Sequence, residues 1–355
     1  MPLSVLILAA GKGTRMNSNY PKVLHNVGNI PMIYYSIDLA QKLNATNIGV
    51  VISEKAVEIR NFIKRLPKKI ELIVQSKQLG TGHAILSAKK FEKKAGDVII
   101  LYGDCPLISI DSLNNLIISR KKGADLSVLG FVADNPKQYG RMAVDENNNL
   151  KKIIEFKDAT KDEIGIKLCN SGVMIANSKI LFSLLNQIRN NNSAQEFYLT
   201  DIVYNANKEG LNVQYVNCSE LEAQGVNNRK DLSEVENQFQ VNKRLEALSN
   251  GVTLKDPSST YFSYDTEIGK DTIIEPNVTF GTGVKIKNDV VVKSFSYLEG
   301  CEVNSNVTLG PFARIRPKTI LDEGVKVGNF VEVKQSHLSQ NVKVNHLAYI
   351  GDGKI

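Results

Sequence analysis

Gly11, Gly13, Arg15 and Lys22 stand together near the start of the chain, in the string Gly11-Lys12-Gly13-Thr14-Arg15-Met16 followed by Pro21-Lys22-Val23-Leu24. Glycines lacking side chains let backbone N–H groups close on a large anion, and cations placed at fixed distances beyond would meet a phosphate chain lying on that loop. Pro21 stiffens the approach to Lys22. The spacing is not Gly-x-Gly-x-x-Gly, because Met16 stands where the third glycine belongs, nor is it a P-loop. A glycine-rich turn after a first strand is also common in α/β proteins with no anion to hold.

Two further stretches carry suitable groups. In Gln75-Ser76-Lys77-Gln78-Leu79-Gly80-Thr81-Gly82-His83 the Gln75 amide offers a donor and an acceptor, which suits a pyrimidine edge, and Gly80-Thr81 permits close backbone and hydroxyl contacts. The same stretch also reads as a polar loop entering a helix with Thr81 as N-cap, and His83 reads as packing. In Tyr102-Gly103-Asp104 a carboxylate follows an apolar run, where Mg²⁺ on a triphosphate needs a few oxygen ligands; a turn aspartate is the plain alternative.

The elements that would position these groups alternate. The apolar run 3–10 reads as a buried parallel strand, then come a helix over 31–40, a strand over 47–52, a helix over 54–66 and strands over 70–74 and 98–102. Such alternation predicts an α/β fold with a doubly wound, mostly parallel sheet, its ligand outside the strand ends where the three motifs fall. Further on, Tyr139-Gly140-Arg141 and 144–150 suggest a hairpin returning to Glu155. Asn170 precedes another apolar strand, 196–201 opens a helix, and Gly225-Val226-Asn227 forms a loop before a connecting helix over 231–250. Gly, Glu and Asn suit sugar hydroxyls and an amide, though each alone is commonly a turn or cap residue.

Taken in order, residues 3–229 resemble the uridylyltransferase domain of the bifunctional N-acetylglucosamine-1-phosphate uridylyltransferase/glucosamine-1-phosphate acetyltransferases of bacteria. The resemblance implies a Rossmann-like nucleotidyltransferase domain over 1–229. In it Gly11, Gly13, Lys22, Gln75, Gly80, Thr81 and Tyr102 would hold UTP, and Gly140, Glu155, Asn170 and Asn227 the N-acetylglucosamine 1-phosphate. Arg15 would face the leaving pyrophosphate beside Lys22, and Asp104 and Asn227 would be the Mg²⁺ ligands. Two competing readings remain: the same domain type serving another sugar 1-phosphate, or a regulatory subunit without activity. The Gln75, Glu155 and Asn170 set argues against the first, and the presence of Arg15, Lys22, Asp104 and Asn227 against the second.

After the connecting helix of 230–250, the domain expected over 251–355 carries a short repeat that begins at Ile268. Ile268, Ile274, Phe280, Ile286, Val292 and Leu298 are six apart; after a five-residue step Val303, Leu309, Ile315, Leu321, Val327 and Val333 continue, then Leu338, Val344 and Ile350. A six-residue period with Gly, Asn or Asp at corners is the pattern of a parallel β-helix whose inward residues stack on each face. The resemblance implies that this helix is left-handed, forms a homotrimer and is a partial acetyltransferase domain using acetyl-coenzyme A as co-substrate. Arg316, Lys334 and Tyr349 would hold the sugar phosphate and His346 would be the base, an imidazole being suited to deprotonating an attacking amine. Asn345 departs from the glycine usual in the family at that point, and Lys354-Ile355 falls inside a hexapeptide, so the expectation is a C-terminally truncated chain without measurable acetyl transfer.

Composition bounds the rest. With 355 residues, 42% apolar and 23% charged, the chain allows two or three ordered domains. A net charge of +7 arises from lysines spread along the chain, which fits small anionic substrates rather than nucleic acid. The four cysteines lack Cys-x-x-Cys spacing, suggesting neither a zinc site nor a disulfide framework and pointing to the cytoplasm. No membrane insertion is expected, for no apolar run approaches the roughly 20 residues of a span.

Overall fold

The computed structural model describes residues 2–355. The chain separates into two compact units: residues up to His25 together with Pro31–Val235, and Asn26–Ile30 together with Glu236–Ile355.

The chain runs through β1 (Leu3–Leu8), then β2 (Asn26–Val27) and β3 (Ile30–Pro31), of which β2 and Ile30 belong to the second unit, and the first unit continues with α1 (Met32–Lys42), β4 (Asn47–Ser53), α2 (Val57–Lys64), β5 (Glu71–Gln75), α3 (Thr81–Leu86), β6 (Asp97–Tyr102) and α4 (Ile110–Lys121). It continues with β7 (Leu126–Val132), β8 (Arg141–Val144), β9 (Leu150–Ile154), α5 (Lys161–Ile164), β10 (Leu168–Asn177), α6 (Ser178–Leu185), α7 (Asp201–Lys208) and β11 (Val213–Asn217). The sheet runs β11-β7-β10-β6-β1-β4-β5, parallel except for β10, which is antiparallel to both neighbours. Strand β1 shows why the sheet is apolar throughout: Leu6 and Leu8 enter one core while Val5 and Ile7 enter the other. In β6, Val98 and Ile100 divide from Ile99 and Leu101 in the same way. A sheet covered on both faces needs apolar residues at both parities.

Among the boundaries that differ from the sequence reading, three are instructive. Helix α2 begins at Val57, not at 54, because a turn from Ser53 to Ala56 precedes it. Asn170 lies within β10 rather than before it, at a register shift that ends at Met174. Residues 196–200 are not helical: Phe197 N–H donates to Leu79 O at 2.8 Å and Gly82 N–H donates to Phe197 O at 2.8 Å, so bonds to the 79–82 loop replace helical ones, and α7 starts at Asp201.

Helix α8 (Arg229–Ser249) crosses the division between the units. In the second unit short parallel strands stack into three sheets, the repeat of a parallel β-helix. The register joins Ile268 to Ile286, Val303, Leu321 and Leu338 on one face, Ile274 to Val292, Leu309, Val327 and Val344 on the next, and Phe280 to Leu298, Ile315, Val333 and Ile350 on the third. These side chains fill the interior. The stack opens one strand before the predicted repeat, at Thr253–Leu254, which pairs with Ile273–Ile274.

Candidate active site

The glycine loop leaves the carboxyl end of β1 and turns through one 3₁₀ turn, Thr14–Met16. Gly13 has φ +63°, and a Cβ there would lie 2.8 Å from Lys22 Cβ, so glycine is needed both for the turn and for the approach of Lys22. A Cβ on Gly11 would meet nothing within 4 Å, so the backbone there faces open space. Lys22 opens a second 3₁₀ turn, Lys22–Leu24. Its ammonium donates to Asp104 Oδ2 and, at 3.3 Å, to Asn227 Oδ1, which also accepts from Arg15 Nη2 at 3.0 Å. Four residues from three distant stretches thus meet at one point. Asn227 is held in turn by its own N–H, which donates to Asp231 Oδ2 at 2.8 Å in the first turn of α8.

These groups line a cleft of about 430 Å³ together with Gly11, Gly13, Gln75, Gly80, Thr81 and Tyr102. Gln75 is buried at the end of β5, its Nε2 3.1 Å from Gly80 O and 3.2 Å from His83 Nδ1, so His83 supports the glutamine rather than the cleft. Thr81 is the first residue of α3 and not its N-cap, a position taken by Gly80. The Thr81 hydroxyl accepts from Leu199 N–H at 3.0 Å and bonds the Tyr102 phenol, whose own ionisation burial pushes far above its usual range. Gly172, at φ +88°, makes room for that ring: a Cβ there would lie 2.6 Å from Tyr102 Cε2. Sequence reasoning missed Gln78, whose amide donates to Ala10 O and ties this loop to the glycine loop; its place three residues after Gln75 was the available signal.

Glu155 does not line this cleft. It lines a neighbouring hollow of about 290 Å³ with Gln138, Phe156, Lys157 and Tyr198, and Glu196, also missed in the sequence, lines both. Burial raises the Glu155 carboxyl above its ordinary range, against a hydrogen bond from Thr200 Oγ1 at 2.9 Å. Gly140 and Asn170 are adjacent: Asn170 N–H donates to Gly140 O at 2.9 Å, and a Cβ on Gly140 would lie 3.7 Å from Asn170 Cβ. Asn170 Oδ1 accepts from Gly172 N–H at 2.9 Å, linking this wall to the Tyr102 wall.

No group of three or more His, Cys, Asp or Glu among the described residues could hold a metal by itself. Asp104 and Asn227 supply two oxygens that already converge on a cation, the Lys22 ammonium. Two hard oxygen donors suit a small divalent cation whose other ligands are substrate phosphates and water.

On the β-helix, Arg316, Lys334 and Tyr349 fall on one face in successive coils, where Glu332 pairs with Tyr349 and Lys334 with Gly351. Arg316 Nη1 donates to Glu332 Oε1 at 2.7 Å, which favours its charged form, and Lys334 lies 3.6 Å from Asp352. His346 is exposed on the preceding corner, whose backbone packs against Gly328.

The description of a MobA-like NTP transferase domain matches residues 5–161, and that of a bacterial transferase hexapeptide, six repeats, matches 265–300. A solved chain from Bacillus anthracis described as a glucose-1-phosphate thymidylyltransferase superposes with a TM-score of 0.54 at 20% identity, covering 66% of this chain and 94% of that one, which shows the shared fold. The bifunctional protein GlmU of Zymomonas mobilis is 41% identical over 100% of this chain and 79% of its own length. Its namesake in Ruegeria sp. is 44% identical over 100% and 79%, and that in Bartonella quintana 42% identical over 99% and 78%. Similarity of this order along the whole chain makes it a member of the GlmU family of bifunctional proteins.

Proposed function

We propose that this chain transfers the uridylyl group of UTP to N-acetylglucosamine 1-phosphate, giving UDP-N-acetylglucosamine and pyrophosphate. The observation that carries this reading is the meeting of Arg15, Lys22, Asp104 and Asn227 in the lining of the cleft that also holds Gln75, Gly80 and Thr81. The sugar phosphate has a second pKa of about 6, so at neutral pH it is a dianionic nucleophile and needs no general base. Its oxygen bonds to the α-phosphorus as the bond to the β-bridging oxygen breaks, and pyrophosphate leaves with the electron pair. Arg15 and Lys22 stabilise the charge that gathers on the α-phosphate and the leaving group. Gln75, Gly80, Thr81 and Tyr102 hold the uridine side, and Gly140, Glu155 and Asn170 the sugar. Asp104 and Asn227 would hold Mg²⁺, which when bound neutralises charge on the phosphate oxygens. The test is pyrophosphate release from UTP that depends on the sugar phosphate.

The family's second activity, acetyl transfer, belongs to the hexapeptide region. By the resemblance Arg316, Lys334 and Tyr349 match the residues that hold the sugar phosphate there, His346 matches the base that accepts the amine proton and acetyl-coenzyme A is the donor. The shared face of the first three supports this. Asn345 beside His346 supports the expectation of no measurable acetyl transfer by this chain. We further propose a homotrimer. One corner of the coils exposes a stack of Phe295, Phe312 and Phe330, ring centroids 5.0 and 4.8 Å apart, and light scattering after gel filtration tests it. No helix among the described residues is long and apolar enough to cross a membrane. All four cysteines are free, which supports a cytoplasmic setting.

A further inference from the structure

Arg141 is 2% exposed, and its partners among the described residues are carbonyl oxygens and a ring rather than a carboxylate. Nε donates to Ile164 O at 3.2 Å, Nη1 to Pro136 O at 3.3 Å and to Tyr139 O, and Nη2 to Lys137 O at 3.0 Å, while the guanidinium carbon lies 5.6 Å from the centroid of the Phe156 ring. A buried guanidinium needs its five N–H groups met, and this fork-shaped set of carbonyls meets four of them.

The segments so joined are those that carry the sugar-side residues. Gly140 sits between Tyr139, whose carbonyl is held, and Arg141 itself. Phe156, under the guanidinium, follows Glu155 directly, and Arg141 pairs with Ile154 on one side and Cys169, next to Asn170, on the other. Lys137 has φ +42°, a conformation that is costly for a residue with a side chain, and its carbonyl is one of those gripped. A turn of that kind persists only when surrounding bonds fix it.

We infer that Arg141 is a positioning residue that fixes Gly140, Glu155 and Asn170 as one wall and thereby sets recognition of the acylated sugar. Lysine is no substitute here. It has no planar fork, so it cannot hold three carbonyls of the 136–139 loop and that of Ile164 together. This inference rests on the assignment of the sugar side given above.

The test compares the full chain with Arg141→Lys and Arg141→Met in steady-state kinetics and in amide hydrogen exchange. Displacement of a binding wall by about 1 Å costs up to 10²-fold, so KM for N-acetylglucosamine 1-phosphate is expected to rise about tenfold or more in Arg141→Lys. KM for UTP should stay within about twofold, and preference over glucose 1-phosphate should shrink by about tenfold. Exchange should quicken at residues 136–140 and 164–170 and not in β1 or β6. An unchanged sugar KM and preference in Arg141→Lys, or a parallel rise of both KM values with general loosening, overturns the inference. If the unaltered chain does not use N-acetylglucosamine 1-phosphate, the function assignment fails separately. Exchange then decides the positioning role: faster exchange confined to 136–140 and 164–170 supports it, and unchanged exchange overturns it.

Discussion

The Lys22 ammonium is ion-paired with the Asp104 carboxylate, each side chain less than one-fifth exposed. The two are assigned opposite ligands, a phosphate chain for the lysine and a divalent cation for the aspartate. In the structure each stands in for the ligand of the other, so binding of nucleotide and metal exchanges one pairing for two. Asp104→Ala should remove most metal-dependent turnover, and Lys22→Ala or Arg15→Ala should each cost on the order of 10²-fold, the usual loss of a transition-state charge partner. Folding should remain nearly intact in all three. Near-normal rates with normal metal dependence in all three variants would favour a regulatory subunit.

Gly13→Ala tests the loop without touching a charge. The added methyl meets Lys22 Cβ at 2.8 Å, in a backbone conformation of φ +63° that strains alanine. Turnover should fall on the order of tenfold, since both the loop and Lys22 must shift. An unchanged kcat, measured by pyrophosphate release, would contradict the placement of Lys22.

A pH effect on stability follows from Asp201 at the start of α7. Burial first, and the nearby Asp158 second, raise its carboxyl from 3.8 to about 6. The folded chain therefore keeps a proton that the unfolded chain gives up, so this contribution is fully present below about pH 4 and is lost as pH rises through about 6. Asp201→Asn should gain melting temperature relative to the unaltered chain at about pH 7.5 and less, or nothing, at about pH 4. Equal differences at both pH values would show that the carboxyl is not raised.

Leu309→Ala probes the second unit. Leu309 is fully buried in the β-helix interior, and deleting such a side chain costs about 2–5 kcal/mol. Denaturant unfolding should show that loss while pyrophosphate release stays within about twofold. A matching collapse of uridylyl transfer would mean that the first unit depends on the stacked coils.

The fold was legible wherever one side-chain period repeated. The apolar strands around Val5–Leu8 and Val98–Leu101 declared a doubly covered sheet, and the hexapeptide positions from Ile268 to Ile350 all took the inward places they predicted. What escaped were features made by distant partners. Residues 196–200 look helical until Phe197 is seen bonded to residues 79–82, and Glu196 beside it lines two hollows. Gln78 reads as one more polar loop residue until its amide is found on Ala10 O. Arg141 reads as a hairpin cation, and nothing local tells that four carbonyls enclose it. Nor did spacing reveal that Asn26–Ile30 belong with the second unit.

Pyrophosphate release with UTP and Mg²⁺, measured across a panel of sugar 1-phosphates with CTP as the alternative nucleotide, decides the assigned function. A wall that hydrogen-bonds an acetamide is left with unpaired polar groups when that substituent is missing, a mismatch that discriminates strongly. N-acetylglucosamine 1-phosphate should be turned over with UTP, and glucose 1-phosphate or CTP should be used much more poorly. Equal rates across the panel, or no release with N-acetylglucosamine 1-phosphate, would contradict that function.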